Sequence, residues 1–301
     1  MSSWQTFLRE FLARMYRYSG AMWMHERMFG PRFLTILLFH RVNDSIPEDG
    51  LTVRTSRFRS ICQMLRQRFQ VVRLEEVFTL LREGRPLPRR TVAITFDDCY
   101  ADNLQAAQVL CDYGLPATFF IPTGYIGTSL RFDWDRTLPP LPNLTWDQVR
   151  QIVRLGHDIG SHTVNHVNLG LAPREVAWAE LVDSRQAIEE QLQRPCRYFA
   201  YPFGGVKHFR PEYLPLVEQA GYEGCFSAYG GFVRPDADPR MLPREAVPYF
   251  KSLSHLELHL SGCLHWWYDL RGRERNRAEV PGDFVNPHTF LESWPLGANL
   301  R

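Results

Sequence analysis

The sequence predicts an α/β fold, a distorted (β/α)7-type barrel of mostly parallel strands, with an N-terminal amphipathic helix ahead of it. Three observations lead there. From Thr35 onward, short apolar runs of strand length alternate with amphipathic helical stretches, and that alternation implies parallel strands covered by helices. About seven such strands close into a barrel more naturally than they lie flat. Polar clusters follow several of the apolar runs directly, which puts them at the carboxyl ends of strands, where barrels carry their chemistry.

The elements follow in order. Thr35-Ile-Leu-Leu-Phe-His40 reads as a buried strand ending in a polar cluster. Residues 56–69 form an amphipathic helix with Phe58, Ile61, Cys62, Leu65 and Phe69 on one face, residues 70–73 a short strand and 75–82 a second helix. Thr91-Val-Ala-Ile-Thr-Phe96 is the clearest buried strand. Helix 101–113 ends at Gly114, a residue free to take the left-handed conformation that closes a helix. Strand 117–121 stops at Pro122, and residues 123–144 form a long loop rich in Gly, Pro and aromatic residues; loops of that length on a rigid scaffold often carry function. Thr145-x-x-Gln148 has the form of a capping box opening a helix. Strand 158–160, helix 173–192, strand 197–201, helix 211–220 with Pro215 inside it, and strand 223–228 complete the alternation.

The chain has 301 residues, 45% of them hydrophobic and 23% charged, which suits one barrel-sized core. The expected organisation is an amphipathic helix in 1–30, a catalytic domain in 31–270 and a polar tail in 271–301. A net charge of +2 argues against a nucleic-acid binder, which needs a basic excess. The six cysteines form no Cys-x-x-Cys pair; they read as reduced thiols of a cytoplasmic protein. In residues 4–22, Trp4, Phe7, Leu8, Phe11, Leu12 and Met15 share one helical face, interrupted by Arg9, Arg14 and Arg17. Such a stripe suits peripheral contact with the inner face of a membrane and equally a helix packed on the domain. It has neither the length of a spanning helix nor the form of a cleavable signal.

The chemistry concentrates at three strand ends. Asp97 and Asp98 follow the 91–96 strand. Two adjacent carboxylates at the end of a buried strand each need a cation or a set of hydrogen bonds, and alternation in a strand sends them in different directions. One then binds a cation and the other handles protons. His162 and His166 stand four apart after strand 158–160, so on a helix they would share a face and bind one metal ion through imidazole nitrogen. One carboxylate and two imidazoles leave positions open for water, the composition of a catalytic rather than a structural site. Third, Phe199-Ala-Tyr-Pro-Phe-Gly-Gly205 turns sharply after a strand, and such a loop can aim an N–H at a developing oxyanion.

In that order, with these residues, the chain resembles the polysaccharide deacetylase (NodB-homology, carbohydrate esterase family 4-like) family. Thr95-Phe-Asp-Asp98 is similar to its first motif, Ser161-His162 through His166 to its second, and Phe199 to Gly204 to a divergent third. The resemblance runs over roughly residues 35–245. It implies that Asp97 is the general base, that Asp98, His162 and His166 bind one divalent ion, zinc by default or another divalent transition metal, and that the backbone N–H of Phe203 helps hold the oxyanion. It implies a hydrolase acting on a carbon–nitrogen bond, removing N-acetyl from an amino sugar of a polysaccharide or glycan precursor. The family has Gly where Cys99 stands and Arg where Ala200 stands. Arg244 is the candidate to orient the base in that Arg's place, and His255 a candidate general acid, with His259 and His265 as other sources. His40, at the end of the first strand, is a further candidate beside the metal. Three other readings share the residues: a deformylase or deacetylase of a lipid-linked amino sugar, an inactive glycan-binding domain, and a non-haem iron oxygenase, whose ligand triad is the same but whose folds are all-β.

Overall fold

The computed structural model describes residues 33–205, 208–250 and 252–262, with the single positions 15, 20 and 24. The expected amphipathic helix and the polar tail lie outside the described residues. The chain divides into two compact units, Arg32–Pro248 and a second that includes Tyr249 onward. The sheet and the site belong to the first.

Its strands are β1 (Leu34–Phe39), β2 (Arg41–Val42), β3 (Thr52–Val53), β4 (Gln70–Val71), β5 (Thr91–Phe96), β6 (Thr118–Ile121), β7 (Asp158–Ser161), β8 (Tyr198–Ala200), β9 (Gly224–Phe226) and β10 (Glu245–Ala246). Its helices are α1 (Thr55–Arg68), α2 (Leu74–Arg82), α3 (Asn103–Asp112), α4 (Trp146–Arg154), α5 (Arg174–Leu192) and α6 (Leu214–Gln219); the second unit holds α7 (Leu253–Leu260). Eight strands form one curled sheet in the order β10-β1-β5-β6-β7-β8-β9, with β4 joined to β5, and β2 and β3 pair separately. All of these pairings are parallel. This is the distorted, mostly parallel barrel that the alternation predicts. It bends far enough for one segment to touch both edges: Leu242 bridges to Phe226 of β9, and Glu245 of β10 pairs with Leu37 of β1.

Alternation along β5 sorts the core. Phe96 faces outward, stacked between Phe39 and Phe119 with centroids 5.1 and 4.7 Å away, and packs edge-on against Phe58 of α1. Ala93 faces the other way, in a buried cluster with Ile36, Phe120, Ala200 and Phe226, into which α2 inserts Val77 and Phe78. Thr95 and Asp97 continue the Ala93 face, so the strand that buries apolar residues at its start carries a carboxylate on the same face at its end.

Two expectations are revised. Helix 211–220 is a 3-10 turn, Pro211–Tyr213, followed by α6. Restarting the helix there puts Pro215 in its first turn, where its missing N–H costs nothing. The loop after β6 contains the 3-10 turns Thr123–Tyr125 and Asp133–Asp135, and Tyr100 bridges to Asn143 near its end.

Candidate metal centre

Asp97 keeps the ladder, its N–H donating to the Phe39 carbonyl at 3.0 Å. The next two residues leave it abruptly: Asp98 and Cys99 have φ of 77° and 56°. Left-handed backbone is unfavourable for residues with a Cβ, and two such residues in a row swing the second carboxylate away from the first. Asp97 turns into the barrel, where Arg244 grips it with two parallel bonds, Nη1 to Oδ1 at 2.7 Å and Nη2 to Oδ2 at 2.6 Å. Arg244 is itself fixed by Nε donating to the Ser227 carbonyl at 2.8 Å and lies 5.4 Å over the Phe120 ring. Burial pushes the Asp97 carboxyl upward, but Arg244 and then His162 outweigh it, so the group stays below the usual carboxylate range.

Asp98 turns toward the histidines. Its Oδ1 lies 3.5 Å from His162 Nε2 and 3.3 Å from His166 Nε2, and its Oδ2 is 4.0 Å from His40 Nε2. Burial opposes ionisation here too, but His162, His166 and His40 hold the carboxyl well below the usual range. His162 is raised from the ordinary imidazole value: burial lowers it, and the two carboxylates overcome that. His40 is lowered, chiefly by burial against the pull of Asp98 and Asp97.

The histidines do not meet on a helix. His162 directly follows β7, its N–H donating to the Ile121 carbonyl at 3.0 Å. The chain then doubles back through Thr163 and His166, with φ of 67° and 55°, bringing the imidazole centroids 4.8 Å apart. The four-residue spacing works through a strained loop, not through helical periodicity.

The donor set suits a divalent ion. One oxygen of Asp98 and one nitrogen each of His162 and His166 lie within 4.8 Å of one another, all three residues buried. His162 Nδ1 sits 2.7 Å from the Ala200 carbonyl, which can only accept, so Nδ1 carries the proton. In the neutral ring, Nε2 then points a lone pair at Asp98 Oδ1. Two acceptors facing each other call for a cation between them. Ligand atoms about 2.1 Å from a tetrahedral ion stand roughly 3.4 Å apart, close to the two separations above.

Around the donors are rings. Phe132, Trp134 and Phe203 surround the His166 imidazole at centroid distances of 5.1, 5.3 and 4.9 Å. Phe132 is buried, while Trp134 and Phe203 are 36% and 47% exposed. Phe203 has φ of 64°, so the 199–205 turn also enters left-handed backbone. Trp134 donates to Tyr100 Oη at 3.2 Å, Tyr100 to Asp135 at 2.5 Å, and Asp135 pairs with buried Arg41.

A family model described as "Polysaccharide deacetylase" matches residues 84–225, the stretch that holds Asp97, Asp98, His162, His166 and Phe203. That stretch of the chain is similar to polysaccharide deacetylases. YxkH of Bacillus subtilis strain 168, itself only provisionally named a polysaccharide deacetylase, is 29% identical over 196 residues, 64% of this chain and 63% of that protein; the chain thus spans under two thirds of that relative. A Staphylococcus aureus protein named poly-beta-1,6-N-acetyl-D-glucosamine N-deacetylase is 24% identical over 204 residues, 64% of this chain and 67% of its own. Among solved structures, the Streptococcus pyogenes deacetylase PplD, in complex with acetate, superposes with a TM-score of 0.64 at 24% identity, over 75% of this chain and 98% of that one. IcaB from Ammonifex degensii gives 0.63 at 24%, over 72% and 93%. At these identities the structures establish a shared fold.

The departures of this chain from the family pattern acquire a geometry. Cys99 occupies the left-handed position where Gly is expected. Its thiol is fully buried, and burial, with Asp98 beside it, raises its pKa well above the usual value; it is a neutral thiol, not a nucleophile. Where the family has Arg, Ala200 packs beside Phe120, and Arg244 reaches over the same Phe120 ring from the closing segment. His255 belongs to the second unit, on α7, 5.1 Å from the Phe250 ring, and His259 lies on the same helix, while His265 falls outside the described residues. Sequence reasoning missed Glu180 of α5, whose carboxylate holds the His162–His166 loop. The signal was available: Glu180 sits on the stripe Ala177, Leu181, Ser184, Ile188 that α5 buries.

Proposed function

We propose that the protein is a metal-dependent N-deacetylase acting on an amino sugar of a polysaccharide or glycan precursor. One observation carries the reading: two adjacent carboxylates are held apart, one against two imidazoles and the other by a buried arginine. A divalent ion on Asp98, His162 and His166, zinc by default, would supply Lewis acidity and bring the pKa of a bound water toward neutrality. Asp97 has the complementary task. Arg244 keeps it ionised and fixed in direction, so it accepts a proton as water attacks the amide carbon. The Phe203 backbone N–H stabilises the oxyanion.

His40 delivers a proton to the leaving amine. Among the described residues of this unit it is the imidazole that stands beside Asp98, 4.0 Å from its Oδ2, without belonging to the ligand set. The sugar is argued from the site's chemistry and from the named activity of the Staphylococcus aureus relative. Exposed Trp134 offers an apolar face beside the ligands, of the kind on which sugar rings stack.

The test combines metal analysis with acetate release from β-1,6-linked N-acetylglucosamine oligomers, with N-formyl and lipid-linked analogues in parallel. Wild-type protein is expected to hold about one equivalent of metal and release acetate. Asp97→Asn should keep the metal and lose about 10²–10⁴-fold in kcat, as removal of a general base does. Metal without release from any of these substrates would replace the enzyme with a glycan-binding domain.

A further inference from the structure

The loop that carries His166 is short, reverses direction and holds two residues in left-handed backbone. Left-handed backbone is strained for a residue with a Cβ, so the conformation persists only if its surroundings impose it. Its peptide groups show what does so. On one side, the N–H groups of Thr123 and Gly124 donate to the carbonyls of Thr163 and Val164 at 3.1 and 2.9 Å. On the other, a single carboxylate collects the N–H groups: Glu180 Oε2 accepts from Val164 N at 2.8 Å and Asn165 N at 2.9 Å, and Oε1 accepts from Asn165 Nδ2 at 2.7 Å. Glu180 is 7% exposed, and an acidic group is rarely so buried without a specific partner. Its partners here are the three donors of the loop between the two histidines.

We infer that Glu180 is a positioning residue for the metal centre: by gripping the peptides of Val164 and Asn165 it fixes the reversal that brings His166 against Asp98. The inference rests on the reading of Asp98, His162 and His166 as a metal site. Glu180 touches neither ligand ring. It acts through the backbone, and bonds to an ionised acceptor are about twice as strong as neutral ones. Without the carboxylate, two part-buried N–H groups lose their acceptor, the left-handed residues relax, and the ion loses the preorganised position of its third ligand.

The test is zinc titration of the apo protein by calorimetry, with chelator competition for tight binding and thermal melting of each apo form. Glu180→Met keeps the helix packed but removes all three acceptor contacts; its zinc Kd should rise about 10–100-fold, the range typical when a group that orients a ligand is lost. Glu180→Gln keeps a neutral acceptor and should raise Kd only a few-fold. It also serves as the test variant if Glu180→Met does not fold. Leu181→Ala, from the same buried stripe, should lower the apo melting temperature without moving Kd. If the Glu180 variants shift Kd no more than Leu181→Ala does, the inference is overturned. If the wild-type protein takes up no zinc, cobalt or nickel, the metal reading itself falls and the inference with it.

Discussion

Taking a carboxylate out of water costs several kcal/mol unless a cation or a set of donors meets it, and Asp97 is met by the fully buried Arg244. Removing the arginine therefore strands a charge. Arg244→Met should destabilise the fold by about 3–5 kcal/mol at neutral pH, read from urea unfolding. The sign of the pH dependence identifies the cause. Asp97 is lowered from 3.8 in the folded protein, so its stabilisation is present in full above the unfolded value and is lost as pH falls through the folded one. In Arg244→Met, burial is opposed only by the weaker pull of His162 and His40, and Asp97 gains stability by taking up a proton. The gap between the two proteins should narrow as pH is taken below about 4; a gap that stays constant would mean that Arg244 contributes packing and not charge. At this scale the sequence was informative about which residues the fold gathers. Asp97, Asp98, His162 and His166 come together, and Arg244 reaches Asp97. What it could not supply was backbone conformation, because a left-handed Asp98 or His166 leaves no mark in composition.

Strand ends bring these residues together, and the loops leaving them are held in tight quarters. At Gly124, an added Cβ would meet the Val164 carbonyl oxygen at 2.8 Å, inside the ligand loop; at Gly224 in β9 it would meet the Phe78 ring at 1.8 Å, in the apolar interior. Both glycines are crowded, but they separate two roles. Gly124→Ala should displace the loop and weaken zinc affinity several-fold with a modest change in melting temperature. Gly224→Ala should cost about 1–3 kcal/mol of stability, as overpacking does, and leave zinc affinity unchanged. Calorimetry and thermal melting on both variants check the split, and the same loss of affinity in both would show the loop and the core to be one mechanical unit. The elements that were legible are those whose burial writes a pattern. The run 91–96 is β5 to the residue, and Thr145 with Gln148 forms the capping box that its spacing suggests. Glu245–Ala246 was missed because two residues carry no periodicity; β10 exists because β1 offers it an edge. The histidine spacing was legible as a pair but misleading as a helix, since the segment between Thr163 and His166 is held by Glu180 and by the 123–125 turn, contacts that no local propensity encodes.

For the whole molecule, the site is also a question of stability. Three donors crowd together in a buried position, and an ion that binds only the folded arrangement draws the folding equilibrium toward it. The donors come from β5 and from the strand and loop of β7, with β6 between them in the sheet, so binding ties together segments more than sixty residues apart in sequence. At free zinc 100 times Kd the stabilisation is about 2.7 kcal/mol, and a domain of 150–250 residues shifts its melting temperature by about 2–4 °C per kcal/mol. Stripping the metal from wild-type protein should therefore lower Tm by roughly 5–11 °C, reversibly on adding zinc back. Asp98→Asn, lacking the anionic ligand, should melt at one temperature whether or not zinc is present. Asp97→Asn should still respond to zinc, because Asp97 is held by Arg244 and lies outside the ligand set. A zinc response retained in Asp98→Asn and lost in Asp97→Asn would exchange the two carboxylates, making Asp97 the ligand and Asp98 the base, and Arg244 would then be paired with a metal ligand instead of with a proton acceptor.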